Sequence, residues 1–434
     1  MSERTTWEAC TVRDVIERHF CGPSPDCEER QIFAPEEWGV LKTTAITWAG
    51  WNDAAHKVLP KAFWEQSQIE VHEGDVLVTK AGPRHRVGVV CHVPSTRSRL
   101  VVSGKMIGLR PKTEVVDARF LAGFLGTKEP QKYIHDRTTG MAESQVNFAN
   151  EVLLDAPLRL PPVHEQHLIA RVLDTLDTAI RETEALIGKL KVVKQGLLHD
   201  LLTRGIDANG QLRPPQSEAP QLYKESPLGW IPREWDVQSL DKITATPICY
   251  GIVQVLDYVS SGVPVLAIRD LLGDYATGIH RTASSIDLAY PRSRVKPGDV
   301  LLSIKGTIGR IGMVPPHFLG NISRDIALIR PTSGIRSQFL AQMLRSPIGQ
   351  TIIKQAQVGT TRAEISIAPL RKLEIAFPDV KEQVRTEEIL ESADIRLEEE
   401  QAKLNKLKSQ KIGLMNDLLT GRVRVTPAVA QTEA

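Results

Sequence analysis

Residues 160–203 read LPPVHEQHLIARVLDTLDTAIRETEALIGKLKVVKQGLLHDLLT, and residues 377–420 read FPDVKEQVRTEEILESADIRLEEEQAKLNKLKSQKIGLMNDLLT. The two stretches align without a gap at a constant offset of 217 residues, and 18 of their 44 positions are identical. Because chance would give only a few identities over this length, the chain contains an internal duplication.

Apolar residues in both copies follow the alternating four-and-three step of a coiled coil, which predicts a long helix with one apolar seam. The seam residues are Leu173, Leu176, Ile180, Ile187, Leu190 and Leu197 in the first copy, and Leu390, Leu397, Leu404, Leu407 and Leu414 in the second. Both seams are polar at the same two positions, Thr183 with Glu400 and Lys194 with Lys411. Polar seam residues fix register and pairing, so we expect each helix to have a defined partner.

The partner of each helix is open at this point. In the simpler arrangement the two copies pair with each other in antiparallel fashion and act as a spacer between two globular units related by a pseudo-two-fold axis. At a rise of about 1.5 Å per residue, such a helix is on the order of 60 Å long. In the alternative arrangement each helix pairs with another chain, as in a coiled-coil homodimer.

Looser similarity precedes each helix, which indicates that the globular parts are duplicated too. Gly74-Asp75-Val76-Leu77 matches Gly298-Asp299-Val300-Leu301, Arg110-Pro111 matches Arg330-Pro331, and at the offset of the first match Gly82, Arg86, Gly88 and Val90 fall on Gly306, Arg310, Gly312 and Val314. Short β-type runs mixed with helical stretches predict two copies of an α/β (α+β) domain. The stretch 21–64, with Trp38, Trp48, Trp51 and Trp64, has no clear counterpart in the second copy.

These patterns predict six segments. They are a first globular domain at 1–157, a first spacer helix at 158–204, a linker rich in Pro, Gly and polar residues at 205–232, a second globular domain at 233–375, a second spacer helix at 376–423, and a disordered tail at 424–434. A chain of 434 residues exceeds the roughly 250 to 300 at which one core stops growing, in agreement with at least two domains.

The composition is that of a soluble globular protein, with 41% hydrophobic and 24% charged residues. Because no stretch approaches the roughly 18 apolar residues of a membrane span, and residues 1–18 lack an apolar signal core, we expect a cytoplasmic protein without a membrane partner. Five cysteines without C-x-x-C spacing support neither a disulfide framework nor a zinc site, so no metal ligands are predicted.

Positive charge is regional although the net charge is only +2. Residues 76–113 contain eight Lys and Arg and no Asp or Glu, and residues 240–376 contain 16 Lys and Arg against 9 Asp and Glu. Such regions suit a surface that contacts phosphates, since each neutralised phosphate adds affinity for DNA. A solvated basic face explains the charge alone equally well.

The candidate DNA-contacting residues lie in two kinds of place. Basic side chains near the glycine-rich turns can reach phosphates or guanine edges, and polar loops ahead of each helix carry Arg, Gln and Asn, which suit base readout. The candidates are Lys80, Arg84, Arg86, Arg97, Arg99, Arg137, Gln145 and Asn147 in the first domain, and Lys305, Thr307, Arg310, Arg324, Gln357, Thr360, Thr361 and Arg362 in the second. An ordinary polar surface loop is the alternative interpretation of the second kind.

Motifs for catalysis are missing from the sequence. It contains no G-x-x-x-x-G-K-[ST] phosphate loop, no N-P-P-Y or D-P-P-Y motif of amino-methyltransferases, and no Pro-Asp pair followed at nuclease spacing by an acid-x-Lys. The stretch 306–312 has a G-x-x-G-x-x-G pattern, but tight turns between strands explain it as well as a phosphate nest does. We therefore predict no catalytic residues and no cofactor site in this chain.

The pattern resembles the specificity subunits of Type I restriction-modification systems. The resemblance is carried by the entry Pro161, Pro162, Glu165 and Gln166, the exit Leu201-Leu202-Thr203, their recurrence as Pro378, Glu382, Gln383 and Leu418-Leu419-Thr420, and the stretch Pro227–Trp235 that is similar to the start of a target-recognition domain there. It covers nearly the whole chain. The two globular domains then correspond to target-recognition domains.

This resemblance implies a non-catalytic reader of double-stranded DNA. Each domain would read one half of a bipartite, asymmetric site, and the helix pair would set the gap between the halves. Two methyltransferase subunits and ATP-dependent restriction subunits are the implied partners, and S-adenosylmethionine, ATP and Mg²⁺ are expected on those subunits rather than here. Two other classes stay open, a coiled-coil scaffold or dimerisation protein without DNA recognition and a nucleotide-dependent enzyme, against which the missing motifs argue.

Overall fold

The computed structural model describes residues 7–357 and 364–425 of the chain. These residues divide into two compact units. Unit 1 contains residues 7–184 and 402–425, and unit 2 contains residues 185–357 and 364–401. Each unit therefore combines one globular domain with a part of both long helices.

The domain of unit 1 is built from short strands and three helices among its described residues. In chain order they are β1 (Glu8–Thr11), β2 (Ile16–Phe20), β3 (Gly39–Leu41), β4 (Ile46–Thr47), β5 (Gly50–Trp51), β6 (His56–Val58), β7 (Val76–Thr79), β8 (Ala81–Gly82), β9 (Val90–His92), β10 (Leu100–Val101), β11 (Met106–Pro111), α1 (Ala118–Leu125), α2 (Lys128–His135), β12 (Thr139–Ala142), β13 (Gln145–Asn147), α3 (Asn150–Leu154) and β14 (Pro157–Leu160). The long helix α4 (Val163–Thr203) follows.

The domain of unit 2 repeats this order with local changes. Its elements are β15 (Tyr223–Ser226), β16 (Gly229–Pro232), β17 (Asp236–Ser239), β18 (Cys249–Tyr250), β19 (Val263–Leu266), β20 (His280–Thr282), α5 (Ser284–Leu288), β21 (Val300–Ser303), β22 (Ile311–Met313), β23 (Asn321–Ile322), β24 (Ile326–Ile329), α6 (Ser337–Arg345), α7 (Pro347–Gln355), α8 (Ile367–Arg371) and β25 (Glu374–Phe377). The second long helix is α9 (Val380–Leu418).

Both domains have the same main sheet. A four-stranded antiparallel sheet has the order β2-β11-β7-β9 in unit 1 and β18-β24-β21-β22 in unit 2. A strand near the start of each domain pairs antiparallel with the strand that leads into the long helix, β1 with β14 and β17 with β25. The predicted fold class, two α/β domains in an internal repeat, is thereby confirmed.

Apolar side chains of this main sheet and of the helices after it form one core in each unit. In unit 1 the core contains Ile107, Phe120 and Leu121, all 0% exposed, and in unit 2 it contains Ala327, Phe339 and Leu340, also 0% exposed. The strands of the main sheet are nearly all apolar, so both faces of the sheet are buried. One face packs on helices such as α1 or α6, and the other face packs against a second, smaller hydrophobic core.

The Trp-rich stretch 21–64 does have a counterpart in unit 2, contrary to our expectation from the sequence. Its strand β3 pairs antiparallel with β6 and parallel with β10. In unit 2, β19 pairs antiparallel with β20 and parallel with β23. The two subdomains share this topology but pack different side chains, Trp38 in one and Tyr275 with Phe318 in the other, so sequence similarity did not reveal the match.

One part of the sequence alignment is also corrected. Leu77 on β7 lies opposite Cys91, and Leu301 on β21 lies opposite Gly312, so the loop before β9 is three residues longer in unit 1. The counterpart of Gly88 is therefore Gly309 and not Gly312. Both glycines have a positive φ, 84° and 88° respectively, which other residues rarely adopt.

The long helices pair in antiparallel fashion inside each unit. In unit 1, Lys411 binds Asp177, and Lys408 binds Glu184 at 2.7 Å, so the numbering falls on α9 as it rises on α4. In unit 2, Lys194 binds Asp394 and Leu201 packs against Leu390. The two polar seam lysines thus bind aspartates at equivalent positions of the opposite copy. The predicted seam residues are all buried or half-buried.

The segment 205–232, predicted as a linker, is ordered in the structure and packs within unit 2. It contains the β15-β16 hairpin, and Arg213 binds Glu382 at 2.7 Å and Glu234 at 2.8 Å. Arg424, the first residue of the predicted disordered tail, binds Glu165 at 2.7 Å in unit 1. Residues 426–434 of that tail lie outside the described part of the chain.

Candidate nucleic-acid interface

Four of the predicted contact residues of unit 1 come together around one small sheet. Strands β12 and β13 form a hairpin, and β13 pairs antiparallel with β8. Lys80 immediately precedes β8, Arg84 follows it, and Gln145 and Asn147 stand exposed on β13. The backbone N–H of Phe148 donates to Lys80 O at 3.2 Å, which holds the hairpin against the basic loop.

Hydrogen bonds position these side chains. Arg84 Nε donates to both carboxylate oxygens of Glu143 at 2.9 Å, and this pair is solvent-exposed. Lys80 Nζ donates to Asn150 Oδ1 at 2.9 Å. Asn147 Oδ1 accepts a hydrogen bond from Thr139 Oγ1 at 2.8 Å, so this bond does not use the amide NH₂ of Asn147. Exposed ion pairs contribute little stability, so DNA phosphates can compete for such cations.

Arg137 lies at the start of the same hairpin. Its guanidinium stacks 3.7 Å from the centre of the Tyr133 ring and donates to Tyr133 O at 3.1 Å. Residues four apart on a helix end face the same side, so Tyr133 fixes the direction of an exposed cation. The sequence reasoning missed Tyr133, whose signal was its four-residue spacing from Arg137. Thr139 belongs to the predicted polar loop and lies opposite Asn147 in the hairpin.

Three other predicted contact residues of unit 1 lie apart from this sheet or are engaged elsewhere. Arg86 donates to Thr43 O at 2.6 Å and Ile46 O at 2.7 Å, which ties the loop before β9 to the smaller subdomain. Arg99 binds Pro35 O in that subdomain. Arg97 is exposed on the same loop as Arg99. We therefore leave these three out of the interface proposed below.

Unit 2 places its candidates at the equivalent position. The loop 304–310 joins β21 to β22 and carries Lys305, exposed Thr307 and half-buried Arg310. Ile365 N donates to Ile304 O at 2.9 Å, which corresponds to the bond between Phe148 and Lys80 in unit 1. Lys305 pairs with Glu364 at 3.0 Å, and the pair is about half exposed.

The remaining candidates of unit 2 are only partly located. Gln357 is half-buried and lies two residues after the end of α7. Thr360, Thr361 and Arg362 lie outside the described residues. Arg324 is exposed after β23, with Nε 3.7 Å from a carboxylate oxygen of Asp325. The G-x-x-G-x-x-G stretch forms the turn between β21 and β22, in which Ser303 Oγ donates to Thr307 O at 2.6 Å.

A repeated ion pair supports the strand that leads into each basic loop. Arg110 on β11 donates to Asp75 at 2.9 Å, and Arg330 donates to Asp299 at 2.7 Å. Both aspartates are almost fully buried and also accept a backbone N–H, from His72 and Lys296 respectively. The hydrogen bond to Asp75 raises the pKa of Arg110 above its usual value, and that to Asp299 does the same for Arg330. The start of β7 and the start of β21 are therefore held by the same kind of ion pair.

Comparison with protein families identifies the family to which this duplicated fold belongs. The model of the Type I restriction modification DNA specificity domain matches residues 5–192 and 279–409, more than half of the chain. The chain belongs to this family. The two matched segments lie in different copies of the repeat.

Curated relatives bear the same designation. The EcoEI specificity subunit of Escherichia coli is 36% identical over 199 residues, which are 45% of this chain and 33% of that protein. The EcoBI specificity subunit of Escherichia coli is 29% identical over 55% of this chain and 51% of that protein. The match thus spans a third to a half of these two relatives. The MjaVIII specificity subunit of Methanocaldococcus jannaschii is 26% identical over 75% of both chains.

Solved structures of this family share the fold. A chain from a study described as the structural basis underlying complex assembly and conformational transition of the type I R-M system has a TM-score of 0.59 at 16% identity, covering 96% of this chain and 99% of that one. The HsdS subunit from Thermoanaerobacter tengcongensis has a TM-score of 0.52 at 15% identity, over 98% and 99%. The identification as a non-catalytic specificity subunit, predicted from the repeated helices, is confirmed.

The described residues contain neither a membrane-spanning helix nor a metal-binding cluster. None of the described helices contains an apolar stretch long enough to cross a membrane. No group of three or more His, Cys, Asp or Glu side chains in residues 7–357 and 364–425 is arranged to hold a metal ion. All five cysteines are free thiols, and burial raises the pKa of Cys91 to about 12.

Proposed function

We propose that this chain recognises a bipartite, asymmetric site in double-stranded DNA as the specificity subunit of a Type I restriction-modification complex. The observation that carries the proposal is the pair of equivalent basic loops. Each follows the strand held by a buried Asp–Arg pair, and each lies beside a polar segment that precedes a spacer helix. The frame is the same twice, but the exposed side chains differ, as two unlike half-sites require.

The contacts to DNA would be of two kinds, phosphate contacts that position the domain and base contacts that read the sequence. In unit 1, Lys80 and Arg84 suit phosphates, because they are cations on a loop and their intramolecular partners are an amide and an exposed carboxylate. Gln145 and Asn147 point from the exposed face of a narrow hairpin, and Gln or Asn pairs with adenine in the major groove. In unit 2, Lys305, Thr307 and Arg310 on the equivalent loop would contact DNA, together with Arg324.

The partners follow from the proposed complex. Two methyltransferase subunits would bind this chain and use S-adenosylmethionine to methylate adenine, and restriction subunits would use ATP and Mg²⁺ for cleavage. This chain would bind none of these cofactors. Its contribution would be recognition by two joined readers, in which binding of one domain raises the effective concentration of the other at its half-site.

Methylome sequencing tests the proposal directly. The chain is co-expressed with its methyltransferase partner in a host that lacks other adenine methylation, and the methylated motif is determined. We expect one bipartite motif with a single gap length. A complex that assembles but methylates no bipartite motif would overturn the proposal and favour a scaffold without DNA recognition.

Substitutions then assign the half-sites. Gln145→Ala together with Asn147→Ala should reduce the discrimination against wrong bases in one half of the motif, by about 1 to 3 kcal/mol for each lost bidentate contact. The other half should be unchanged. Lys305→Ala should weaken binding to all sequences and reduce the salt slope of the affinity by about one. Gln195→Ala, at an exposed position of α4, is the matched control and should change neither quantity.

The spacer role has its own test. Four residues are inserted after Glu184 and four after Gln401, where the chain passes between the two units, so every contact described within a unit is kept. Each insertion lengthens a helix by about 6 Å. We expect the gap to change by one or two base pairs while both half-sites keep their bases. New half-site bases would contradict the spacer assignment.

A further inference from the structure

Two buried glutamines stand at equivalent positions, in the first turn of each long helix. Gln166 is 1% exposed and Gln383 is 0% exposed. They belong to the repeated Glu-Gln motif, but nothing in the candidate interface uses them. A buried side-chain amide is retained only where its donors and acceptor are satisfied, so its partners indicate its role.

The two amides make the same three hydrogen bonds. Gln166 Oε1 accepts from Asp117 N at 2.9 Å, and its Nε2 donates to Val115 O at 3.1 Å and Pro161 O at 2.9 Å. Gln383 Oε1 accepts from Arg336 N at 2.8 Å, and its Nε2 donates to Gly334 O at 3.1 Å and Pro378 O at 2.9 Å. Corresponding distances agree within 0.1 Å.

All six partners are backbone atoms, and this decides the interpretation. The domain residues that offer four of these atoms have unlike side chains, Val115 and Asp117 in unit 1 but Gly334 and Arg336 in unit 2. The joint therefore does not depend on the side chains of the domain that it holds. A domain can change its contact residues and still present the same N–H and C=O groups to the spacer helix.

The position of each amide makes it a joint between three elements. Pro161 and Pro378 lie where the last strand of the domain enters the long helix, and Asp117 and Arg336 occupy the N-cap positions of α1 and α6. One side chain thus fixes the domain helix, the final strand and the spacer helix together. Ion pairs flank the joint but differ between units, Arg119 with Asp174 at 3.0 Å and Arg336 with Glu387 at 2.6 Å.

We propose that Gln166 and Gln383 are positioning residues that fix the direction of each recognition domain on its own spacer helix and so restrict the gap lengths that the subunit accepts. The inference rests on the proposed function for its DNA readout. Helix length alone sets the distance between the points where the domains attach. Without the amide a domain can tilt about its attachment and reach half-sites at neighbouring spacings.

The experiment uses the full chain in complex with its methyltransferase partner. Duplexes carry both half-sites with gaps from two base pairs shorter to two longer than the native gap, and initial methylation rates are measured. For Gln166→Ala and Gln383→Ala we expect the rate on off-length gaps, relative to the native gap, to rise about tenfold, with unchanged half-site bases. Gln195→Ala on α4 and Gln410→Ala on α9, both at exposed positions, should keep the wild-type ratio.

A second measurement on the same proteins does not involve DNA. Amide hydrogen exchange at Asp117 and Arg336 should become at least tenfold faster in the variant of the same unit, because each N–H loses its acceptor. If an alanine variant does not fold, Gln166→Met and Gln383→Met keep most of the side-chain volume without the amide, and the same two measurements are made on them.

The outcomes separate the two proposals. If the wild-type complex methylates no bipartite site, the proposed function fails, whereas the exchange rates still report on the joint. If the wild type selects one gap and the variants select it as strictly, or if exchange at Asp117 and Arg336 is unchanged, the inference is overturned. Altered half-site bases would also overturn it, since the glutamines would then act inside the recognition domain.

Discussion

Unit 1 and unit 2 differ most where they are expected to meet DNA and least where backbone atoms hold the frame. The four-stranded sheet, the buried Asp–Arg pair and the glutamine bonds are the same in both. The polar segment beside the basic loop is a hairpin with a register shift between Thr139 and Ala142 in unit 1, whereas in unit 2 the bridge between Lys305 and Glu364 is its described part. The duplication thus preserves the support and leaves the contact surface free to diverge.

A second difference concerns the helix that follows the main sheet. In unit 1, Asp117 caps α1 from within the domain, and its carboxylate accepts from the N–H groups of Arg119 and Phe120. In unit 2 the equivalent position is Arg336, and Glu387 on α9 accepts from Phe339 N at 2.9 Å instead. The same N-terminal turn is therefore satisfied once locally and once by the spacer helix. The first helical turn thus requires an acceptor for its N–H groups, and either the domain or the spacer helix can supply it.

The largest effect should come from breaking the shared Asp–Arg pair. Asp75→Ala and Asp299→Ala each leave a largely buried arginine without its partner and a backbone N–H without its acceptor. We expect the free energy of unfolding to fall by about 3 kcal/mol in each variant, measured by urea denaturation. Asp155→Ala, which removes an exposed ion pair with Arg13, should cost less than about 1 kcal/mol. A large loss in only one unit would show that the two frames are not equivalent.

An intermediate effect is expected at the turn that the structure aligns. Gly88→Ala and Gly309→Ala place a side chain at positive φ and a Cβ within 3 Å of Gln131 or Gln350. Each should lower the free energy of unfolding by about 1 to 2 kcal/mol in a thermal or urea melt. Tolerance of alanine at Gly88 and Gly309 would show that the positive φ of this turn is not what requires glycine there.

The smallest effect distinguishes the two helix caps. Burial alone would raise the pKa of Asp117, but hydrogen bonds from Arg119 and Phe120 outweigh it and hold that pKa below its usual value. The charged form thus stabilises unit 1 above the usual carboxyl pKa, and this stabilisation is lost as pH falls through the lowered value. Asp117→Asn should cost about 1 kcal/mol at pH 7, and its difference from the wild type should shrink below about pH 4.

The matching change in unit 2 is Glu387→Gln, which weakens the cap supplied by α9 and the pair with Arg336. Unfolding free energies of both variants are compared across pH 3 to 7. If Asp117→Asn differs from the wild type by the same amount at every pH, the charge of Asp117 does not carry the effect.

The sequence predicted the long helices and their duplication well, because both can be recognised from the spacing of residues close together in the chain. The seam of leucines and isoleucines needs only a period of 3.5 residues, and the Pro-x-x-x-Glu-Gln entry recurs in both copies. The candidate interface was predicted less completely. Lys80, Arg84, Gln145 and Asn147 do come together, but Arg86 turned out to bind backbone carbonyls of the smaller subdomain. Local charge gives no indication of such a distant acceptor.

By itself, therefore, the sequence determined the repeated helices, their polar seam positions and the family to which the chain belongs. The helices and the seam positions depend on residue spacing, and the family follows from the resemblance of sequence motifs, all of which are visible without coordinates. Only the tertiary structure decided that the stretch around Trp38 has a counterpart around Val265, that Gly88 corresponds to Gly309, and that the glutamines bind the recognition domains. The physical reason is that strand pairing and buried amide bonds use backbone atoms, which every side-chain sequence shares and none reveals.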